Sequence, residues 1–123
     1  GSEFIIADGN FPATDCVSPD KVIYLPSVGN AALLDAVLQL FPLDSYGENA
    51  FLMQPCGDRP EPAVWREYSR VFEHRAAGKY SLGKIERFAF YERAKGASFI
   101  VVTGEQSPYA NILLKKGEVR GTE

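Results

Sequence analysis

The chain is poor in the residues that mark many familiar chemistries: it has one histidine, two cysteines, one methionine and one tryptophan. The lone His74, between Glu73 and Arg75, has no partner at metal-ligand spacing and reads as an exposed helix residue. Cys16 and Cys56 lie far apart, with no CxxC and no histidine near either. They fit neither a zinc site nor a disulfide-rich secreted framework, and both read as reduced thiols. There is no GxSxG, no phosphate-cradling glycine loop and no GxGxxG, which argues against hydrolase, kinase and dehydrogenase chemistry. No metal-ligand spacing is present either. Positive charge is also scarce: 13 Lys and Arg stand against 16 Asp and Glu, for a net charge of -3. Because these cations are dispersed and form no basic stripe, nucleic acid is not an expected partner. No apolar run approaches the roughly 18 to 20 residues of a membrane span, and the start lacks the layout of a signal peptide. No membrane is expected as a partner, and the expected location is the cytoplasm.

What the chain does have is core material. Hydrophobic residues make up 46% of 123 positions, among them eight Phe and six Tyr, enough for one core and hence one domain over residues 1–123. Phe4-Ile5-Ile6-Ala7, halted by Asp8-Gly9-Asn10, reads as a buried strand ending in a polar turn. Lys21 to Leu25, stopped by Pro26, reads as a second strand after a turn-rich stretch. Leu33, Leu34, Val37, Leu38 and Phe41 share one helical face, with Asn30 as N-cap and Pro42 as terminator. Ala50 to Met53 is a strand, and Val64, Trp65, Tyr68, Val71 and Phe72 form the stripe of a second helix. A third helix is expected from Lys84 to Lys95, with Ile85, Phe88, Tyr91 and Glu92 along neighbouring faces and Gly96 as its C-terminal cap. Phe99 to Thr103 is the clearest strand, and Asn111 to Leu114 the last. Strands alternating with helices imply an α/β sheet with helices on its faces.

Sites in such sheets lie beyond the carboxyl ends of strands. That points to Asp8-Gly9-Asn10 and to Gly104 through Asn111, which includes Tyr109. Asp, Gly and Asn also serve turns for backbone reasons, so composition leaves both readings open. Arg87 follows Ile85 in the expected first turn of a helix, where the dipole disfavours a purely structural cation, although a surface ion pair is the alternative.

Four segments, in order, carry a resemblance: IIADGNFPA at 5–13, LLDAVLQLFPLDSY at 33–46, ERFAFYERAKGA at 86–97 and VVTGEQSPYANILLKKG at 101–117. Together they resemble the RbsD/FucU family of sugar mutarotases and pyranases, nearer the L-fucose branch than the D-ribose branch. The resemblance implies a three-layer α/β/α domain with a mixed, largely parallel sheet and no cofactor. It also implies a ring-shaped homo-oligomer, typically a decamer, that interconverts anomers or ring forms of a free monosaccharide. By position, Asp8 matches the family's sugar-binding aspartate, Arg87 its basic sugar contact, and Tyr109 with Asn111 the polar pair of its Tyr-Gly-Asn motif. Asp8 and Tyr109 are the implied catalytic groups; Asp8, Arg87, Tyr109, Ala110 and Asn111 are the implied sugar contacts.

Three departures accompany the match. The family's catalytic histidine aligns immediately before Gly1, so it and the helix preceding it fall outside this chain. Either that segment lies upstream or the chain has lost its general acid; a domain rarely drops a helix and still buries the surface beneath it, which favours the first. Ala110 replaces a glycine, and Tyr24-Leu25-Pro26-Ser27 stands where fucose-type members carry Arg-Ala-Asp-Gly. The expected function is a monosaccharide mutarotase for L-fucose or a related sugar. The alternatives are a non-catalytic sugar-binding protein of the same fold and, more remotely, a purely structural ring subunit.

Overall fold

The computed structural model describes residues 2–40, 49–57, 59–76 and 80–117. Its strands are β1 (Glu3–Ala7), β2 (Val22–Leu25), β3 (Ala50–Met53), β4 (Leu82–Ile85), β5 (Phe99–Thr103) and β6 (Ile112–Lys115). They form one sheet in the order β2-β5-β1-β6-β3-β4, in which β6 alone runs against its neighbours. The helices are α1 (Ala13–Cys16), α2 (Asn30–Leu40), α3 (Val64–Ala76) and α4 (Arg87–Ala94).

The uninterrupted apolar run of β1 follows from its central place, since both faces of the strand are covered. Phe4 and Ile6 face a core with Leu34 of α2 and Trp65, Tyr68 and Phe72 of α3. Ile5 and Ala7 point the other way, to Ala13 of α1 and Phe90 and Ala94 of α4. The result is the three-layer α/β/α domain expected. Fully burying a side chain such as Phe72 or Phe90 contributes about 1.5–3 kcal/mol, so both layers draw on the same source of stability. Arg75 on α3 bonds Asp35 on α2 at 2.8 Å. On the opposite layer Arg93 of α4 reaches Glu3 of β1 at 2.7 Å while lying over the Phe51 ring, which fixes α4 against the sheet.

Three expectations need correction. The segment beginning at Lys84 is not helical from its start: Leu82–Ile85 is edge strand β4, in register with Ala50–Met53 of β3. Glu86 then turns the chain, its carboxylate accepting the Ala89 N–H at 3.0 Å, and α4 opens at Arg87. Phe88 consequently faces outward at 64% exposure, and Phe90 takes the core position. Asn30 does not cap α2 from outside; the helix includes it and its side chain is buried. The turn-rich stretch before β2 contains the single turn α1 and a 3-10 turn at Pro19–Lys21. Phe41 and Pro42, expected to end α2, lie outside the described residues.

Candidate functional site

Five strands run in one direction and β6 runs in the other, so several chain ends meet at one edge of the sheet. Asp8 follows β1, Glu105 lies just beyond β5, Arg87 comes after β4, and Asn111 immediately precedes β6. Because β1 and β6 are neighbours, Asp8 and Asn111 are brought together: the Asp8 N–H donates to Asn111 Oδ1 at 2.8 Å. Asp8 Oδ1 in turn accepts the Asn10 N–H at 2.9 Å, closing a short turn around the carboxylate. The turn reading of this tripeptide is thus borne out.

Asp8 is only 8% exposed. Burial pushes its carboxyl above the ordinary carboxylate value and the nearby Glu105 charge pushes the same way, while bonds from Asn10, Asn111 and Phe11 draw it back in part. Glu105 moves oppositely. Burial raises it, yet the Asn30 N–H, the Ser107 side chain and the N–H groups of Ser107 and Gln106 outweigh that and hold it below the usual range. Two carboxylates at one strand edge are therefore driven apart in proton affinity by their surroundings, a pattern common where acids and bases work.

The Tyr109–Asn111 segment is unusual in its backbone. Tyr109 has φ +53°, the left-handed region, which costs a residue other than glycine about 1–3 kcal/mol. The conformation is held from behind: Trp65 Nε1 donates to the Tyr109 carbonyl at 3.0 Å. The next carbonyl, that of Ala110, accepts both the Tyr68 hydroxyl at 2.5 Å and Asn30 Nδ2 at 3.0 Å. Asn30 Oδ1 accepts from Thr103 Oγ1 at 2.5 Å, and the Asn30 N–H donates to Glu105 Oε1 at 3.1 Å. The Ala110 methyl is fully buried in the cluster under α2 and α3, so this residue offers its backbone to the network.

Gly104 allows the β5 end to approach the β2 end. Its N–H donates to the Val28 carbonyl at 3.0 Å, and any Cβ there would collide with the Pro26 carbonyl.

Arg87 stands at the start of α4, half-buried, with its guanidinium 4.7 Å over the Phe88 ring. Its Nε is the one buried side-chain nitrogen or oxygen among the described residues that lacks a hydrogen-bond partner. A buried guanidinium nitrogen without an acceptor is a poor structural feature and a good ligand donor. Tyr91, one turn further along α4, ties this corner to the rest. Its phenol is raised by burial, lowered by Arg87, and raised again by Asp8, Cys16 and Tyr109, so each of these groups acts on Tyr91. His74 is exposed on α3, as expected, and takes no part.

The structure thus joins Asp8 to the Tyr109–Asn111 segment where β1 and β6 meet, and sets Arg87 after β4 at the same end of the sheet. Sequence reasoning missed Tyr68, Thr103, Asn30 and Trp65 as supports, having read Tyr68 and Trp65 only as helix stripe. A signal existed: a tyrosine hydroxyl or indole N–H inside an apolar stripe needs a buried acceptor. A separate hollow of about 200 Å³ between α3 and the β3-β4 edge, lined by Leu52, Glu61, Trp65, Ser69 and Lys84 among others, contains none of the candidate residues. Among the described residues no group of three or more His, Cys, Asp or Glu is placed to hold a metal ion, and no helix is long and apolar enough to cross a membrane.

A carboxylate, a guanidinium, a phenol and an amide thus lie near the strand ends of a single α/β domain, the usual place for a ligand in such sheets. The model of the RbsD / FucU transport protein family matches residues 1–119, and the chain belongs to this family. It is 43% identical to the fucose mutarotase of Homo sapiens over 95% of this chain and 79% of that protein. Among solved structures it is similar to the fucose mutarotase of Streptococcus pneumoniae in complex with L-fucose, with a TM-score of 0.90 and 39% identity over 97% of this chain and 84% of that one. Bacillus subtilis RbsD complexed with D-ribose, at 19% identity and a TM-score of 0.67 over 96% of this chain and 83% of that one, shares the fold.

Proposed function

We propose that this chain is a monosaccharide mutarotase that interconverts the anomers of L-fucose or a closely related free sugar. The reading is supported by its similarity to fucose mutarotases on both the sequence and the structure side. The observation that carries it is a buried Asp8, its carboxyl raised by burial, at the same end of the sheet as an Arg87 whose buried Nε lacks an acceptor. As part of the same proposal, the chain works in the cytoplasm as a ring-shaped homo-oligomer, a decamer. Exposed Ile23 and Tyr24 on edge strand β2, with Phe88 on α4, supply apolar surface for such contacts.

Anomer exchange opens the ring to the aldehyde, rotates about the C1–C2 bond, and recloses on the other carbonyl face. A proton must reach the ring oxygen as another leaves the anomeric hydroxyl. A carboxyl raised toward the working pH suits that exchange, because it gives and takes a proton with little driving force lost. In this reading Asp8 and Tyr109 address the ring and anomeric oxygens. Arg87 and Asn111, with the backbone at Ala110, hold the remaining hydroxyls. The resemblance implies a further general-acid histidine that aligns just before Gly1, so the test is run on residues 1–123 and on the same chain with a histidine supplied at that position.

The test is proton NMR saturation transfer between the α and β anomers of L-fucose, with D-ribose in parallel. Exchange that rises in proportion to protein concentration is the expected result, and the faster sugar names the substrate. Line broadening without catalysed exchange in either sugar, with the extended chain included, overturns the enzyme in favour of a sugar-binding protein.

A further inference from the structure

Three of the candidate site residues depend on two donors from a single helix turn. Trp65 and Tyr68 sit three positions apart on α3, so their side chains leave the same face. Trp65 Nε1 bonds the Tyr109 carbonyl and the Tyr68 hydroxyl bonds the Ala110 carbonyl. These carbonyls belong to the two successive peptide planes flanking the Ala110 Cα. Fixing both planes fixes the torsions that aim the Tyr109 ring on one side and the Asn111 side chain on the other. Asn111 Oδ1 then holds the Asp8 N–H, so the orientation passes from α3 to the backbone that carries the carboxylate.

Both donors are well suited to a fixed support. Tyr68 is fully buried and Trp65 is 5% exposed, so water competes with neither bond. Burial pushes the Tyr68 phenol far above its ordinary value, which keeps the hydroxyl protonated and donating at any working pH. The support acts where the backbone most needs it, at the left-handed Tyr109.

We infer that Tyr68 and Trp65 are positioning residues for the sugar site, holding Tyr109, Asn111 and, through Asn111, Asp8 in their working orientation. The inference deepens the mutarotase reading and rests on it for its kinetic part alone. The experiment compares Tyr68→Phe and Trp65→Phe with the unaltered chain. Tyr80→Phe is the control: it removes a hydroxyl bonded to Glu73 at 2.6 Å, on the exposed side of α3.

Amide hydrogen exchange is measured without sugar, and anomer exchange is measured per folded molecule well below the melting temperature. Tyr68→Phe and Trp65→Phe are expected to speed exchange of the Asp8 amide while leaving Ile5 and Ile100 protected. Each is also expected to lower kcat by roughly 10- to 100-fold with a smaller change in KM, the scale on which misplacement of reacting groups acts. The control should change neither. Unchanged Asp8 protection, or a uniform loss of protection across β1 and β5, overturns the inference whether or not the unaltered chain is active. Selective loss of Asp8 protection with an inactive parent would uphold the positioning role and remove the mutarotase reading instead.

Discussion

The two corners of the site are built on opposite plans. On the β1-β6 side, Asp8, Tyr109, Ala110 and Asn111 are held through bonds from Trp65, Tyr68 and Asn30, and Asn30 is itself tied to Thr103 and Glu105. On the α4 side, Arg87 has a stacking contact with an exposed phenylalanine and a buried Nε without an acceptor. The first corner has spent its hydrogen bonds on itself, so its geometry is set before any ligand arrives. The second has kept one back. Proton transfer tolerates little misplacement, whereas holding a peripheral hydroxyl gains from a donor that is still unpaired. Under the proposed function, the contrast gives chemistry to the rigid corner and affinity to the open one.

The largest expected effect comes from breaking the rigid corner at its acid. Asp8→Asn keeps the shape and the Oδ1 acceptor for Asn10 but cannot exchange a proton, so catalysed anomer exchange should fall by about 100- to 10,000-fold. The same substitution should make the fold more stable at neutral pH. Folding raises the Asp8 pKa, so the ionised carboxylate costs stability above the folded pKa, and that cost fades as pH falls through it. Thermal melts at pH 7 and pH 4 should show the gain at the higher pH and its decline at the lower. A variant that is less active and also less stable at pH 7 would break the assignment.

Next in size is Gly104→Ala. Its methyl would drive the Pro26 carbonyl away and disturb the β5 end that carries Thr103 and Glu105. Overpacking of this kind costs about 1–3 kcal/mol, read as a lower urea midpoint. Arg87→Ala should behave in the opposite way. Stability should stay within about 0.5 kcal/mol of the parent, because no hydrogen bond to Nε is lost. Sugar affinity should weaken by roughly 10- to 100-fold, the worth of a charge-assisted hydrogen bond. If Arg87→Ala destabilised the fold and left the affinity intact, the open corner would be structural and the comparison would fail.

How far these corners were legible in the sequence divides along the same line. β1 and β5 announced themselves because central strands covered on both faces are apolar at successive positions. Asp8 and Asn111 were visible as polar residues at strand ends. β4 was not, since Gly83 and Lys84 break any apolar pattern and the strand exists through its pairing with β3. The supports were hidden for a related reason. The Tyr68–Ala110 bond joins residues 42 apart and the Thr103–Asn30 bond residues 73 apart, and such pairings leave no local period to detect. Arg87 was found by its position after Ile85, although its orphaned nitrogen could only be seen once the helix start was placed.

The smallest expected effect tests whether the rigid corner also tunes its acid. Glu105 serves twice: its carboxylate accepts the Asn30 N–H at the start of α2, and its charge helps hold the Asp8 proton affinity up. Glu105→Gln keeps an acceptor for Asn30, removes the charge, and gives up the long 3.3 Å bond from the Ser107 N–H to the second oxygen. The Asp8 pKa should then fall toward its ordinary value, and the acid limb of the rate profile should move to lower pH. Burial is the larger cause of the Asp8 shift and is untouched, so the displacement should be modest and kcat at its optimum should change less than about threefold, within what one partly screened charge can do. Rate profiles of the two chains at low and high salt separate the causes: a charge effect shrinks as salt rises, whereas damage to the Asn30 bond does not. A shift toward higher pH, or one indifferent to salt, would mean that Glu105 acts on the site through the position of α2 alone.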